Sequence, residues 1–339
     1  MTSDNRLVTP AESPLVARLA VALCAGACAA ALSASFGGAG DLDPVLFGAR
    51  AWAAGENPYQ LVGPHGRAFV WPWGLYYPLP ALAVVLPFAA TLSTSAARAA
   101  FAGVSVALLG YGLAARSWIR LPALLSASCL YAVVVGQWSP LLTAAALLPG
   151  AAVFLAAKPN LGLALWAADP RWRRLVPAAA ALLGTAVLWR WWPAGWWTTV
   201  ASEAHLEVPA RVAWGLPLLA LLRWRRPEAR VVAALACVPQ NGFVYEALPL
   251  LAFVPETRAQ VLTLALASYA VPIGVVASGP ATYAEAARAS TTLLLACCYL
   301  PCVALVLRRP NEGPVPGWMS RLAIGLGGGR SGRRGAHAR

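Results

Sequence analysis

Two aspartates that follow the first apolar segment are the residues best suited to chemistry. Asp41 and Asp43 open the stretch DLDPVLFGARAWAAGENPY, residues 41–59. Asp43 stands directly before Pro44. This order is typical of a helix start, where the aspartate carboxylate caps free backbone amides and proline takes the first helical position. Asp41 has no such role and no basic residue beside it, so it is the better candidate for a general base, with a solvated loop aspartate as the alternative interpretation. Both carboxylates are candidate catalytic groups.

Cations that could hold a phosphate lie in the same region. Arg50 follows Asp41 by nine residues, and Arg67 comes later in the same polar stretch. The planar guanidinium suits phosphate oxygens, so Arg50 could reach a phosphate, and snorkelling to lipid headgroups is the alternative for both arginines. Lys158 is the only lysine of the chain and lies between apolar runs. An unpaired charge is costly there, so we predict a functional role for this lysine.

Two further polar groups are candidates for ligand and metal binding. Gln137 and Trp138 lie at the end of an apolar run, where an amide and an indole can hydrogen-bond or stack on a ligand and where helix capping is the alternative. Glu203, His205 and Glu207 form another dense polar cluster, but they lack a fourth ligand and a recognised metal-site spacing. We therefore predict no metal site and no cofactor, and leave a divalent cation open.

The segments that position these residues are apolar. Of the 339 residues, 59% are hydrophobic and 12% are charged, and the mean hydropathy is +0.63. An ordinary soluble domain is about 25% charged, so composition excludes a typical soluble enzyme and predicts an all-α, polytopic transmembrane helix bundle. The net charge of +13 comes from arginines that separate apolar segments, which indicates membrane orientation and not nucleic-acid binding.

The apolar segments predict ten to twelve spans, some of them short re-entrant pieces. We expect a disordered cytoplasmic N-terminus at 1–14, a transmembrane domain at 15–310 and a disordered basic cytoplasmic tail at 311–339. Residues 37–78 lack an arginine excess, which places them outside the cytoplasm as a long first exported loop. The helix that begins at Asp43 in this loop is apolar enough to lie in the membrane interface.

Basic clusters set the predicted orientation. Three clusters should be cytoplasmic: Arg171/Arg173/Arg174, Arg223/Arg225/Arg226/Arg230 and Arg308/Arg309. Arg98, Arg116 and Arg120 follow one another too closely for a simple assignment to put all three on that side. We predict a multi-pass protein of the cell (plasma) membrane with both termini in the cytoplasm.

The order of motifs around Asp41 resembles the C-type (GT-C) glycosyltransferases. An Asp after the first span, an Arg nine residues on, a Gly fourteen on and then a Pro-Tyr pair are similar to glycosyltransferase family 87, the polyprenyl-phosphate-dependent mannosyltransferase-like membrane proteins. Here these residues are Asp41, Arg50, Gly55, Pro58 and Tyr59. Later elements of the family are similar to VVGQWSP (134–140), AKPNLGLAL (157–165) and VPQNGFVYEALPL (238–250). The likeness runs from about residue 37 to 255.

The resemblance implies a GT-C-like fold and an inverting enzyme. Such an enzyme moves a sugar, mannose or a similar hexose, from a polyprenyl-phosphate donor to a hydroxyl of a glycolipid or glycan acceptor on the exported side, within membrane lipids. It implies Asp41 as the base, and Arg50 with Arg67 at the donor phosphate. The implied substrate-binding residues are Tyr59, Gln137, Trp138, Lys158, Tyr245 and Glu246.

The chain departs from the family in its late segment and leaves two other classes open. Family members often have an aromatic or His residue there, whereas Tyr245 is followed by Glu246, so no His role is carried over. The alternatives are a transporter or flippase of lipid-linked substrates and a catalytically inactive family member. A transporter built from related halves predicts an internal repeat, and none is visible in the sequence.

Overall fold

The computed structural model describes residues 14–201 and 206–315, and most of this part of the chain is helical. Its α-helices are α1 (Leu15–Ser35), α2 (Asp43–Ala53), α3 (Pro58–Leu61), α4 (Leu79–Thr91), α5 (Thr94–Arg116), α6 (Ala127–Val135), α7 (Ser139–Leu147), α8 (Pro159–Trp166), α9 (Trp172–Leu188), α10 (Trp192–Ala201), α11 (Pro209–Val212), α12 (Pro227–Cys237), α13 (Leu248–Phe253), α14 (Arg258–Ser268), α15 (Ala270–Ser278), α16 (Tyr283–Leu294) and α17 (Leu300–Leu307). Segments of 3₁₀ helix cover Trp118–Leu125, Pro149–Ala157, Leu216–Arg223 and Val244–Ala247, and a π-helical turn covers Leu295–Tyr299. Strands β1 (Val62–Gly63) and β2 (Phe69–Val70) pair in parallel. Most of the two predicted disordered termini lies outside the described residues.

The predicted all-α class is confirmed, and several helices are long and apolar enough to cross a membrane. By length and composition, four stretches of the described chain qualify: Leu15–Ser35, Thr94–Arg116, Arg258–Ser278 and Tyr283–Leu307. Two bent pairs, Trp118–Leu125 with Ala127–Val135 and Trp172–Leu188 with Trp192–Ala201, raise the number to six if each is one span. The predicted ten to twelve is too many by this measure. Breaks at residues such as Pro149 and Pro159 divide other apolar runs into short helices.

Helices α1 and α5 pack closely because glycines line their contact. A Cβ atom at Gly26 would lie 2.8 Å from the carbonyl oxygen of Gly103, so a larger residue would force the two backbones apart. The carbonyl oxygen of Phe36, just after α1, accepts a hydrogen bond from Nη2 of Arg98 near the start of α5. The two helices are therefore antiparallel, and the loop that follows α1 lies beside the first turns of α5.

The bundle has two chemically different ends, which α5 connects. Arg98 near the start of α5 pairs with Asp43, and this end also holds Asp41. Arg116 is the last residue of α5 and lies beside arginines of other segments. Arg116 follows Arg98 by eighteen positions along the helix, a distance of about 27 Å that is close to the thickness of a hydrocarbon core. We call these the aspartate end (Asp41, Asp43, Arg98) and the arginine end (Arg116 and its neighbours).

The separation of the two ends explains why Arg98, Arg116 and Arg120 could not all be assigned to the cytoplasmic side. Arg98 belongs to the aspartate end, whereas Arg116 and Arg120 both line a cavity at the arginine end. The stretch Tyr283–Leu307 also connects the two ends. Tyr283 lines the same cavity as Asp41, and Arg309, just beyond α17, forms an ion pair with Glu228 at the other end.

Helix α2 is buried in protein, so the prediction of an interfacial helix is wrong. Val45, Leu46 and Ala49 are fully buried and belong to one apolar core with residues of α4. A Cβ atom at Gly48 would lie 2.8 Å from Leu75, which shows how closely the following loop covers this helix. The half-buried Phe47 and Trp52 also contact protein, because Phe47 stacks on Phe69 and Trp52 packs edge-on against Trp189.

Candidate active site

The position of Asp41 depends on two glycines that bring distant loops together. Gly136 ends α6 with a left-handed backbone, φ +73°, and a Cβ atom at Gly40 would lie 2.8 Å from the carbonyl oxygen of Val135. That carbonyl accepts a hydrogen bond from the Asp41 amide at 2.6 Å. The same close approach allows Nε2 of Gln137 to donate to Oδ2 of Asp41 at 2.5 Å. Two of the predicted site residues are thus in direct contact.

Asp43 is a buried ion-pair partner, and its predicted role as a helix cap is wrong. The cap position of α2 is occupied by Leu42, without a side-chain hydrogen bond to the helix. The Asp43 carboxylate instead accepts hydrogen bonds from the amide of Gly40 at 2.9 Å and from Nη1 of Arg98 at 2.9 and 3.1 Å. Since both of these side chains are almost fully buried, Asp43 holds the loop that carries Asp41 against α5.

Lys158 and Glu246 form the second polar pair of the site. Nζ of Lys158 lies 2.9 Å from Oε1 of Glu246, whose residue is only 2% exposed. Lys158 begins the turn into α8, and Glu246 lies in the 3₁₀ segment that precedes α13. The pairing satisfies a lysine and a glutamate that would each be costly to bury alone. It also places both charges where they act electrostatically on Asp41.

Aromatic side chains enclose these polar groups. Asp41 and Gln137 line a narrow cavity of about 20 Å³ together with Tyr77. A cavity of about 180 Å³, which Lys158 lines, adjoins it, because Tyr76, Tyr77 and Asn241 border both. The site therefore combines a carboxylate, an amide and an ammonium group with aromatic walls.

Tyr245 lies in the same region but inside the protein. Its ring stacks on Tyr131 with the centroids 6.0 Å apart, and its hydroxyl contacts Nδ2 of Asn241 at 3.1 Å. The fully buried Tyr245 therefore supports the Asn241 side chain that reaches both cavities.

The surroundings of Asp41 favour its neutral form. Burial raises the pKa of this carboxyl group above its ordinary value, and the negative charges of Asp43 and Glu246 raise it further. The hydrogen bond from Gln137 and the positive charge of Lys158 act in the opposite direction and lower the pKa. A carboxylate with a raised pKa is a stronger base, which suits it to accept a proton near neutral pH.

Arg50 and Arg67 are not brought to Asp41. The guanidinium of Arg50 donates to the carbonyl oxygens of Ala89 and Leu92 and to the hydroxyl of Thr94, so it holds α2 to the turn between α4 and α5. Arg67 is exposed in the turn between β1 and β2 and lines neither of the two cavities. Of the three predicted cations, Lys158 is the one that lines a cavity of the site.

Trp138 and Tyr59 have supporting positions. Trp138 is fully buried, with its ring packed on Phe101 at 5.0 Å and on Tyr77 at 5.8 Å between centroids, so it is not open to stack on a sugar. The hydroxyl of Tyr59 donates to the carbonyl oxygen of Tyr77 at 2.9 Å. Both residues therefore hold Tyr77, which lines the two cavities, in place.

Sequence reasoning missed Arg98, Tyr77 and Asn241 as parts of the site. The sequence did contain evidence for a special role of Arg98, because this arginine does not fit the pattern that places arginines on the cytoplasmic side. Asn241 lies inside the segment 238–250, which the resemblance had already marked. Tyr77 follows other aromatic residues at the end of a loop, and nothing in its local sequence distinguishes it.

Residues that could hold a metal ion are not clustered in the described ranges. In residues 14–201 and 206–315, no group of three or more His, Cys, Asp and Glu side chains is arranged to hold one. Glu203 and His205 of the predicted polar cluster lie outside these ranges. The backbone of Glu207 pairs with that of Gln240, which lines the larger cavity.

Comparison of the chain with known proteins identifies no relative. No protein-family model, no curated protein and no solved structure matches the chain. Function is therefore inferred from the chemistry of the site itself.

Proposed function

We propose that the protein is an integral-membrane glycosyltransferase of GT-C type that uses a polyprenyl-phosphate sugar as donor. The observation that carries the proposal is the convergence of separate chain segments on one pair of cavities. Asp41, Gln137, Lys158 and Glu246 come from the four segments whose order resembles glycosyltransferase family 87, and they meet within hydrogen-bonding and electrostatic range. Four of the residues that the resemblance selects are therefore also close together in space.

In the proposed reaction, Asp41 acts as the general base. Its carboxylate takes the proton of the acceptor hydroxyl while the hydroxyl oxygen forms a bond to the anomeric carbon of the donor sugar. The bond from that carbon to the phosphate oxygen breaks, and the polyprenyl phosphate leaves with the electron pair. Attack opposite the leaving group inverts the anomeric centre.

Lys158 takes the role first assigned to Arg50 and Arg67. Its ammonium group supplies positive charge for the departing phosphate, because it lines the cavity that adjoins Asp41. Glu246 fixes the position of Lys158 through the ion pair at 2.9 Å. Tyr76 and Tyr77, which border both cavities, contact the sugar between base and phosphate.

The proposed orientation puts the aspartate end outside the cytoplasm. Arginines of three sequence clusters lie together at the other end, where Arg223 donates to the carbonyl oxygen of Leu307 and Arg230 to those of Ala167 and Ala168. Arginine is enriched on the cytoplasmic side of membrane proteins. The acceptor is then a glycolipid or glycan on the exported side of the plasma membrane, and both termini are cytoplasmic.

A donor screen tests the proposal. Purified full-length protein is incubated with a panel of polyprenyl-phosphate hexoses and candidate glycolipid acceptors, and products are identified by their gain of one hexose mass. We expect one donor to give an acceptor product and free polyprenyl phosphate in equal amounts. Movement of the intact donor between leaflets of a vesicle, without either product, would instead identify a flippase and overturn the proposal.

A further inference from the structure

A second cavity lies at the arginine end, remote from Asp41. Its volume is about 860 Å³, and five arginines from separate parts of the chain line it: Arg116, Arg120, Arg171, Arg174 and Arg230. Its volume is within the range of about 300–1,000 Å³ that is usual for ligand sites. Since Arg116 and Arg98 lie at opposite ends of α5, this cavity is separate from the candidate active site.

The acidic residues of this cavity do not neutralise its arginines. Asp169 is shared by Arg171 at 2.8 Å and Arg174 at 3.2 Å. The other two acidic lining residues, Glu228 and Glu256, are engaged by Arg226 and Arg309, which are not among the lining residues. In the part of the chain that the structure describes, neither Arg116 nor Arg120 forms an ion pair, and Glu228 and Glu256 act on Arg120 only at longer range.

Arg116 is the residue that gives the strongest evidence for a bound ligand. It is exposed, lines the cavity, and makes neither a hydrogen bond through its guanidinium nor an ion pair with any described residue. It also lies close enough to Arg120 and Arg174 for their positive charges to repel one another. Like charges that converge on an open cavity are stabilised when an anion binds between them.

We propose that this cavity binds a phosphate-bearing anion, with Arg116 and Arg120 as its donors. Guanidinium groups bind phosphate oxygens through two parallel hydrogen bonds, and a cavity that opens at one end of a membrane bundle is accessible to lipid headgroups. The chain beyond Pro314 contains five arginines and no aspartate or glutamate, so its side chains supply no anion of their own. The inference is independent of the sugar-transfer proposal.

A binding experiment with matched charge variants tests this inference. Full-length protein in a neutral detergent is titrated with phosphatidylglycerol, with phosphatidylcholine as a zwitterionic comparison and with glycerol 3-phosphate as a soluble phosphate ester. Binding is measured by native mass spectrometry and by calorimetry. The variant is Arg116→Gln, which removes a charge without breaking a bond within the described protein. The control is Arg288→Gln, which removes an arginine of α16 that is also exposed.

The expected result is phosphate binding that Arg116→Gln weakens about tenfold, while Arg288→Gln leaves it unchanged. If the loss is seen only with phosphatidylglycerol, the ligand is a membrane lipid, and if glycerol 3-phosphate shows it too, the site also accepts soluble esters. An equal loss in both variants would show that net charge alone attracts anions and would overturn the proposal. The proposal also fails if neither phosphate probe binds better than phosphatidylcholine.

Discussion

The buried ion pair between Arg98 and Asp43 allows a quantitative test of the aspartate end. Nη1 of Arg98 lies 2.9 Å from Oδ2 of Asp43, and the two side chains are 4% and 6% exposed. Arg98→Met keeps much of the side-chain volume and removes the charge. The Asp43 carboxylate then retains only the Gly40 amide among its described hydrogen-bond donors, and the carbonyl oxygen of Phe36 loses its donor. Removal of one partner from a buried pair costs about 3–5 kcal/mol, so we expect the free energy of unfolding to fall by about that amount.

The measurement is the free energy of unfolding in mixed detergent micelles. Arg98→Met combined with Asp43→Asn should recover part of the loss, because the double variant no longer buries an unpaired charge. The exposed Arg288→Met is the control, and it should change the free energy of unfolding by less than about 0.5 kcal/mol. If Arg98→Met is as stable as the control, or if the double variant is no more stable than Arg98→Met, the two groups do not form the buried pair described above.

Three other changes probe the surroundings of Asp41. Gln137→Ala removes a donor that lowers the pKa of Asp41, so the acid limb of the pH–rate profile should move to higher pH by about one unit, and no shift would contradict the contact. Gly136→Ala should lower the free energy of unfolding by about 1–3 kcal/mol, as measured by denaturant titration, because its φ is +73° and its Cβ would lie 2.9 Å from that of Leu42. Lys158→Met should destabilise the protein more than Lys158→Met with Glu246→Gln, since only the single variant leaves a buried carboxylate unpaired.

The class of fold could be predicted from composition, but the number of spans could not. Apolar runs long enough to cross a membrane are visible in any hydropathy pattern. Whether a run forms one helix depends on breaks such as those at Pro149 and Pro159 and on which breaks the packing accommodates. The interfacial helix failed for a related reason, because the sequence of α2 does not reveal that α4 will cover it.

The candidate site was predicted better in its residues than in their roles. The sequence singles out Asp41, Gln137, Lys158 and Glu246, and the structure places these four residues close together. Their contacts depend on the approach of Gly40 to the turn at Gly136, which joins residues far apart in the sequence. Local helix rules assigned Asp43 to a cap because they cannot detect a partner such as Arg98, which lies 55 residues away.

The most direct test of the central claim is the sugar-transfer rate of Asp41→Asn. The amide keeps the shape of the side chain and cannot accept the proton of the acceptor hydroxyl. With equal amounts of folded protein and the donor that the screen identifies, we expect the rate to fall about a thousandfold. Glu56→Gln, an exposed change in the same loop, should retain the full rate. A transfer rate for Asp41→Asn within a few-fold of that of Glu56→Gln would contradict the assignment of Asp41 as the catalytic base.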